Sequence, residues 1–195
     1  EISACLVGSE MCIRDRYDDY VLPVRIASST GEPMGQNKYT KVLAHIGFKN
    51  DYSGTYSGKG VITQQGTTYT TEITSTLLYA INNNVCYMFV GEKTRANTQD
   101  YLNYVVEIER NEWGGIVLSS NVEGLQFKPY SAKLSRKYTY NYNDQRYYTE
   151  ITTIELAYEY LDSTQGEPLM MSFEGTFSMS RDVLRVEYPD VDVEE

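Results

Sequence analysis

Few side chains in this 195-residue sequence are of types that do chemistry, and they are scattered. His45 is the one imidazole. A general base needs a partner and a tuned pKa. Alternation puts His45 on the polar side of a strand beside Lys41, which predicts a solvent-facing histidine. Cys86 falls in the most apolar run, Val85-Cys86-Tyr87-Met88-Phe89-Val90. There a cysteine behaves as a small hydrophobe, without the electropositive setting that activates a thiolate. Carboxylates are more numerous. Glu107, Glu109, Glu150, Glu155 and Glu174 all lie in alternating segments, and a pair flanking a cleft would support glycoside hydrolysis. Each alternates outward from an apolar face, so the expectation is a solvated strand surface and no catalytic residue. If the polar faces instead lined a barrel lumen, the same residues would line a cavity.

Metal and cofactor chemistry find less support. Asp190, Asp192 and Glu194 are spaced like ligands of a calcium loop, but the turn glycine of such loops is missing. An acidic tail is the reading, with no metal site. No glycine-rich phosphate loop and no Gly-x-Ser-x-Gly elbow occur, so no cofactor is expected. The remaining candidates are aromatic. Trp113 in a loop, with Tyr138, Tyr140 and Tyr142 two residues apart, could form a flat platform for a sugar or peptide. The competing reading is cross-strand aromatic pairing, worth about 0.2–1 kcal/mol per pair to a sheet.

The elements that must position these residues are strands. Nineteen tyrosines and many threonines suit a pleated surface that meets core on one side and water on the other. Alternation predicts strands over residues 20–26, 42–48, 52–62 and 69–81, with Gly54, Gly58 and Gly60 on one face allowing strong bending. Residues 85–90 are apolar on both faces, which predicts a strand covered on both sides. Further strands are expected over 102–108, at 116–118, around Leu125 and Phe127, over 138–142, 147–160 and 169–179, and from Val183 to Tyr188. Trp113-Gly114-Gly115 reads as a hairpin loop. A change of face near Thr152 and Thr153 suggests a bulge. The segment starting at Tyr69 resembles that starting at Tyr147 in sequence, which a duplicated half-domain or convergence of threonine-rich strands would each explain.

The first residues have another origin. The run Cys5-Leu6-Val7-Gly8-Ser9-Glu10-Met11-Cys12-Ile13-Arg14-Asp15-Arg16 resembles, codon by codon, a translated tagmentation sequencing adapter, and Glu1 and Ile2 fit its preceding primer. Residues 1–16 are therefore expected to be a non-native leader, 17–188 a single all-β domain, and 189–195 an acidic tail. The leader holds Cys5 and Cys12, which leaves Cys86 alone and excludes an intrachain disulfide framework in the body. The natural N-terminus, with any export signal or lipid-attachment cysteine, is expected upstream.

The chain carries 17 basic and 27 acidic side chains, a net charge of −10. The leader contributes Glu1, Glu10 and Asp15 against Arg14 and Arg16, so the body remains near −9. That charge, without a basic stripe, argues against nucleic-acid binding. No apolar run approaches the length of a membrane-spanning helix. About ten strands at short spacing, mostly joined by tight turns, imply an antiparallel meander, either a calycin-like barrel, which long strands and one-face glycines favour, or, as the alternative, a two-sheet sandwich. At the level of fold the body resembles calycin or lipocalin-like domains of exported bacterial lipoproteins. That resemblance implies a non-enzymatic exported domain, periplasmic or at the cell surface, binding a small apolar or glycan ligand. A structural or adhesion module acting through protein contacts is the second reading, and a carboxylate-based hydrolase the third.

Overall fold

The computed structural model describes residues 20–25, 41–46, 48–164, 166–187 and 191–194. The leader, residues 1–16, lies outside them. Contacts divide the chain into two compact units, Glu1–Phe48 and Lys49–Glu195. In the first, β1 (Tyr20–Arg25) and β2 (Lys41–Ile46) pair antiparallel, with Tyr20 opposite Ile46 and Arg25 opposite Lys41. His45 takes its place on β2 opposite Val21.

The second unit is an eight-stranded antiparallel sheet curled into a nearly closed barrel. Its strands are β3 (Gly54–Gln64), β4 (Thr70–Ala80), β5 (Val85–Phe89), β6 (Val105–Arg110), β7 (Ile116–Ser119), β8 (Lys128–Tyr140), β9 (Tyr147–Asp162) and β10 (Leu169–Leu184). Their spatial order is β8-β9-β10-β3-β4-β5-β6-β7, so β10–β3 is the one pairing between strands distant in sequence. β7 approaches β8 at the seam, but no ladder joins them. A two-residue strand, β11 (Val193–Glu194), adds in parallel to β8 beside Tyr138 and Thr139. The acidic tail thus contributes to the sheet edge.

Period-two alternation builds the core. Ile154, Leu156, Tyr158 and Tyr160 of β9 point inward, as do Met171, Phe173 and Phe177 of β10. Each such aromatic or aliphatic side chain contributes roughly 1.5–3 kcal/mol by leaving water. Gly60 and Gly175 face each other across β3 and β10. A Cβ on Gly60 would come within 2.8 Å of the Phe173 and Phe177 rings, which cover the glycine pair and fill mid-barrel. The one-face glycines thus serve close approach, as their spacing predicts. β5 is buried on both faces. Cys86 and Met88 join the core. Tyr87 and Phe89 lie on the outer side, where Tyr87 stacks on Tyr79 at 4.8 Å and receives a 2.6 Å hydrogen bond from Arg95 Nη2.

Five expectations need correction. No bulge occurs at Thr152 and Thr153, because β9 and β10 pair in unbroken register from Tyr147–Leu184 to Asp162–Leu169. The face seemed to change only because two polar residues, Glu150 and Thr152, occupy inward positions. A bulge does occur in β3 between Ser57 and Gly60. It splits the expected single face of β4, so that Ile73 and Leu78 both point inward while Leu77 is exposed. Leu102 is not in a strand: Tyr101–Tyr104 form a 3-10 turn entered through Asp100 at φ +54°, and β6 begins at Val105. Leu125 sits in a second such turn, Glu123–Leu125. Finally, Val183 continues β10, and Arg185–Glu187 close it with a 3-10 turn in place of a new strand.

Candidate functional site

The strand registers define two ends of the barrel. One end carries the β4–β5, β6–β7 and β8–β9 turns, so Trp113 and Tyr142 both belong to it. Trp113 is 94% exposed, held in a tight loop where Asn111 Oδ1 accepts from the backbone N–H of Trp113 at 3.1 Å and of Gly115 at 2.8 Å. Tyr142 is 85% exposed in the turn after β8. Tyr140 pairs edge-on with Tyr148 across the ladder, and the Arg185 guanidinium sits 4.7 Å from the Tyr148 ring centre. Tyr138 points inward and donates to Glu150 Oε2 at 3.0 Å. The structure therefore joins Tyr138 and Tyr140 to the barrel wall, and leaves Trp113 and Tyr142 free at the same end.

Glu150 is the largest departure from the sequence reading. Expected at the surface, it is 0% exposed. Arg181 Nε and Nη2 each lie 2.9 Å from its Oε1, and Thr152 Oγ1 donates to the same oxygen at 3.2 Å. Four donors from β8, β9 and β10 thus compensate the buried charge. Glu107 is also buried, whereas Glu109 and Glu174 are exposed and Glu155 pairs with Lys133 at 3.7 Å. Burial pushes the Cys86 thiol up to about 11, outweighing the hydrogen bond from Asn50, so it is protonated at neutral pH. Burial and the Glu150 bond likewise raise Tyr138. Among the described residues, no group of His, Cys, Asp and Glu is arranged to hold a metal ion.

The opposite end carries the concave surface. A pocket of about 320 Å³ opens between the β3–β4 and β9–β10 turns, bounded by Gln64, Tyr69, Lys93, Tyr160, Asp162 and Leu169. A groove of about 500 Å³ follows the outer side of β4, past Thr74, Ser75, Thr76, Leu77 and Tyr79 to Thr94. Glu92 and Lys93 line both, so the two adjoin. Lys93 Nζ lies 2.7 Å from Asp162 Oδ2 and donates to Thr164 Oγ1 at 2.9 Å. Burial raises the Asp162 pKa, but the bonds from Lys93 and Thr164 outweigh it and hold the carboxyl below its usual range. Sequence reasoning missed this surface. Its only local signal is the Asp162-x-Thr164 turn, in which Asp162 Oδ1 accepts from the Thr164 backbone at 3.0 Å.

A family model described as "-like, C-terminal" matches residues 40–178, most of the chain. The chain belongs to that C-terminal domain family. No curated protein matches it significantly. Several crystal structures share the fold of this C-terminal domain. A protein of unknown function from Bacteroides ovatus superposes with a TM-score of 0.74 at 20% identity, over 92% of this chain and 63% of that one. An auxiliary nutrient binding protein from Bacteroides thetaiotaomicron gives 0.66 at 20% identity, over 87% and 59%. A multidomain protein from Bacteroides ovatus that includes a DUF1735 domain gives 0.65 at 18% identity, over 78% and 65%. The chain spans less than two thirds of each of these relatives. Among the described residues, no helix is long and apolar enough to cross a membrane.

Proposed function

We propose that this chain is a non-enzymatic, exported β domain that binds a small saccharide on the adjoining pocket and groove around Lys93. The observation that carries this reading is the make-up of that surface. Threonine and serine hydroxyls, the Gln64 amide and the Lys93–Asp162 pair supply donors and acceptors, while the exposed Tyr69 offers a ring face. Its volume suits a small ligand. An apolar ligand in a central calyx fits less well, because Tyr56, Tyr158, Phe173 and Phe177 fill the barrel. The fold shared with a protein named for nutrient binding, and with other Bacteroides proteins, supports both ligand binding and export.

The exposed Trp113 and Tyr142 favour a second reading, in which the aromatic platform with Tyr138 and Tyr140 is the binding surface. Calorimetric titration of the full chain with neutral oligosaccharides separates the two. Binding that weakens about tenfold in Tyr69→Ala and survives in Trp113→Ala and Tyr142→Ala supports the Lys93 surface. The reverse pattern supports the platform. Absence of saccharide binding would leave the adhesion-module reading in possession.

A further inference from the structure

We propose that Arg136 anchors a carboxylate-binding site inside the barrel end that holds Tyr138 and Arg181. This site is separate from the saccharide surface and does not depend on it. Arg136 lies on the inward face of β8, opposite Thr152 and two residues before Tyr138. Its side chain is only 17% exposed. Nη1 lies 3.7 Å from Asp51 Oδ2, a carboxylate that is itself 59% exposed and therefore largely screened. Nε and Nη2 are buried and have no hydrogen-bond partner among the described residues.

Those two nitrogens form one edge of the guanidinium. Their N–H bonds run parallel, at the spacing of the two oxygens of a carboxylate. Buried donors are nearly always satisfied, and a buried charge needs compensation as well. The neighbouring buried carboxylate, Glu150, supplies neither, because Arg181, Tyr138 and Thr152 already occupy it. Among the described residues, two guanidinium groups against one buried carboxylate leave a positive charge that the exposed Asp51 carboxylate offsets only in part. A water molecule would satisfy the N–H groups and leave that charge; a monoanionic carboxylate satisfies both. A doubly charged phosphate would invert the local charge and present tetrahedral, not planar, oxygens.

The test is calorimetry on the full chain at constant ionic strength, with acetate and D-glucuronate against D-glucose and inorganic phosphate. The expected result is saturable binding of both carboxylates, with glucose and phosphate inert at this site. Arg136→Met should abolish carboxylate binding. Arg136→Lys, which keeps the charge but loses the fork, should weaken it at least about tenfold. A second measurement needs no variant: acetate should shift the Arg136 Nε–H resonance of the wild-type chain. A resonance unmoved by acetate would overturn the proposal. So would phosphate binding as well as acetate, or glucuronate binding lost in Tyr69→Ala but kept in Arg136→Met. That last pattern would place the ligand on the saccharide surface, whereas failure of neutral sugars alone would leave the Arg136 site standing.

Discussion

Replacing Arg181 with methionine would strand Glu150. The carboxylate would keep Tyr138 and Thr152 as donors, but the counter-charge it has among the described residues would be gone. Breaking one side of a buried ion pair costs about 3–5 kcal/mol. Arg181 is 31% exposed, so the low end of that range is expected. Urea denaturation should show a lower midpoint at unchanged slope, and Glu150→Leu combined with Arg181→Met should recover most of the loss. Residues of this kind were the least legible in the sequence. Alternation assigns polar side chains to water, and Glu150 escapes that rule only because Arg181, thirty-one positions later, reaches it across the ladder. Cys86 was legible for the converse reason, since its six-residue apolar neighbourhood states its burial directly. Trp113 in its glycine loop was read correctly as a loop residue, while Tyr138 gave no sign that its hydroxyl serves a buried acid.

Strands were legible wherever their inward faces are apolar throughout. β10 is the clearest case, and its alternation runs through the ladder with β3 as the sequence implies. The 3-10 turns at Tyr101–Tyr104 and Glu123–Leu125 were not legible, because one turn of 3-10 geometry can present the same apolar–polar alternation over three or four residues. The β3 bulge was equally hidden: it is defined by the partner strand, which local pattern does not include. The glycine pair offers a test at this scale. Gly60→Ala would drive a methyl group into the Phe173 and Phe177 rings, both of which are held in the core. Overpacking of this kind costs about 1–3 kcal/mol. Thermal unfolding should show the loss, and pairing the change with Phe173→Leu should relieve part of it. A variant as stable as the parent would mean that the rings move aside freely.

At the scale of the barrel, one ladder does the work of closure. β3 to β7 form one meander and β8 to β10 another, and only β10–β3 joins them as a ladder. The sequence announces both meanders and is silent on how they meet, since a pairing between residues 57 and 178 leaves no local trace. The same silence covers the surface around Lys93, whose walls come from β3, β4, β9, β10 and the loop after β5. Hydrogen–deuterium exchange should map this division of labour. Amides in the β9–β10–β3 ladders should exchange slowest. Amides of β7, and of β8 before the Tyr138–Thr139 stretch that β11 covers, should exchange fastest among the strands of the barrel where they face the seam, because no partner strand pairs with them there. Uniform protection around the barrel would contradict an open seam.

The adjacency of β3 and β10 also sets how the barrel can be held. β3 begins at Gly54 and β10 ends at Leu184 on the same rim as the Trp113 loop, so the polypeptide enters and leaves by one pole. The pocket beside Lys93 opens at the other. Anything tethering this barrel through its own chain would therefore grip one pole only and turn the pocket beside Lys93 outward, like a lamp on its stem. The length of the stem could change without disturbing the face it presents.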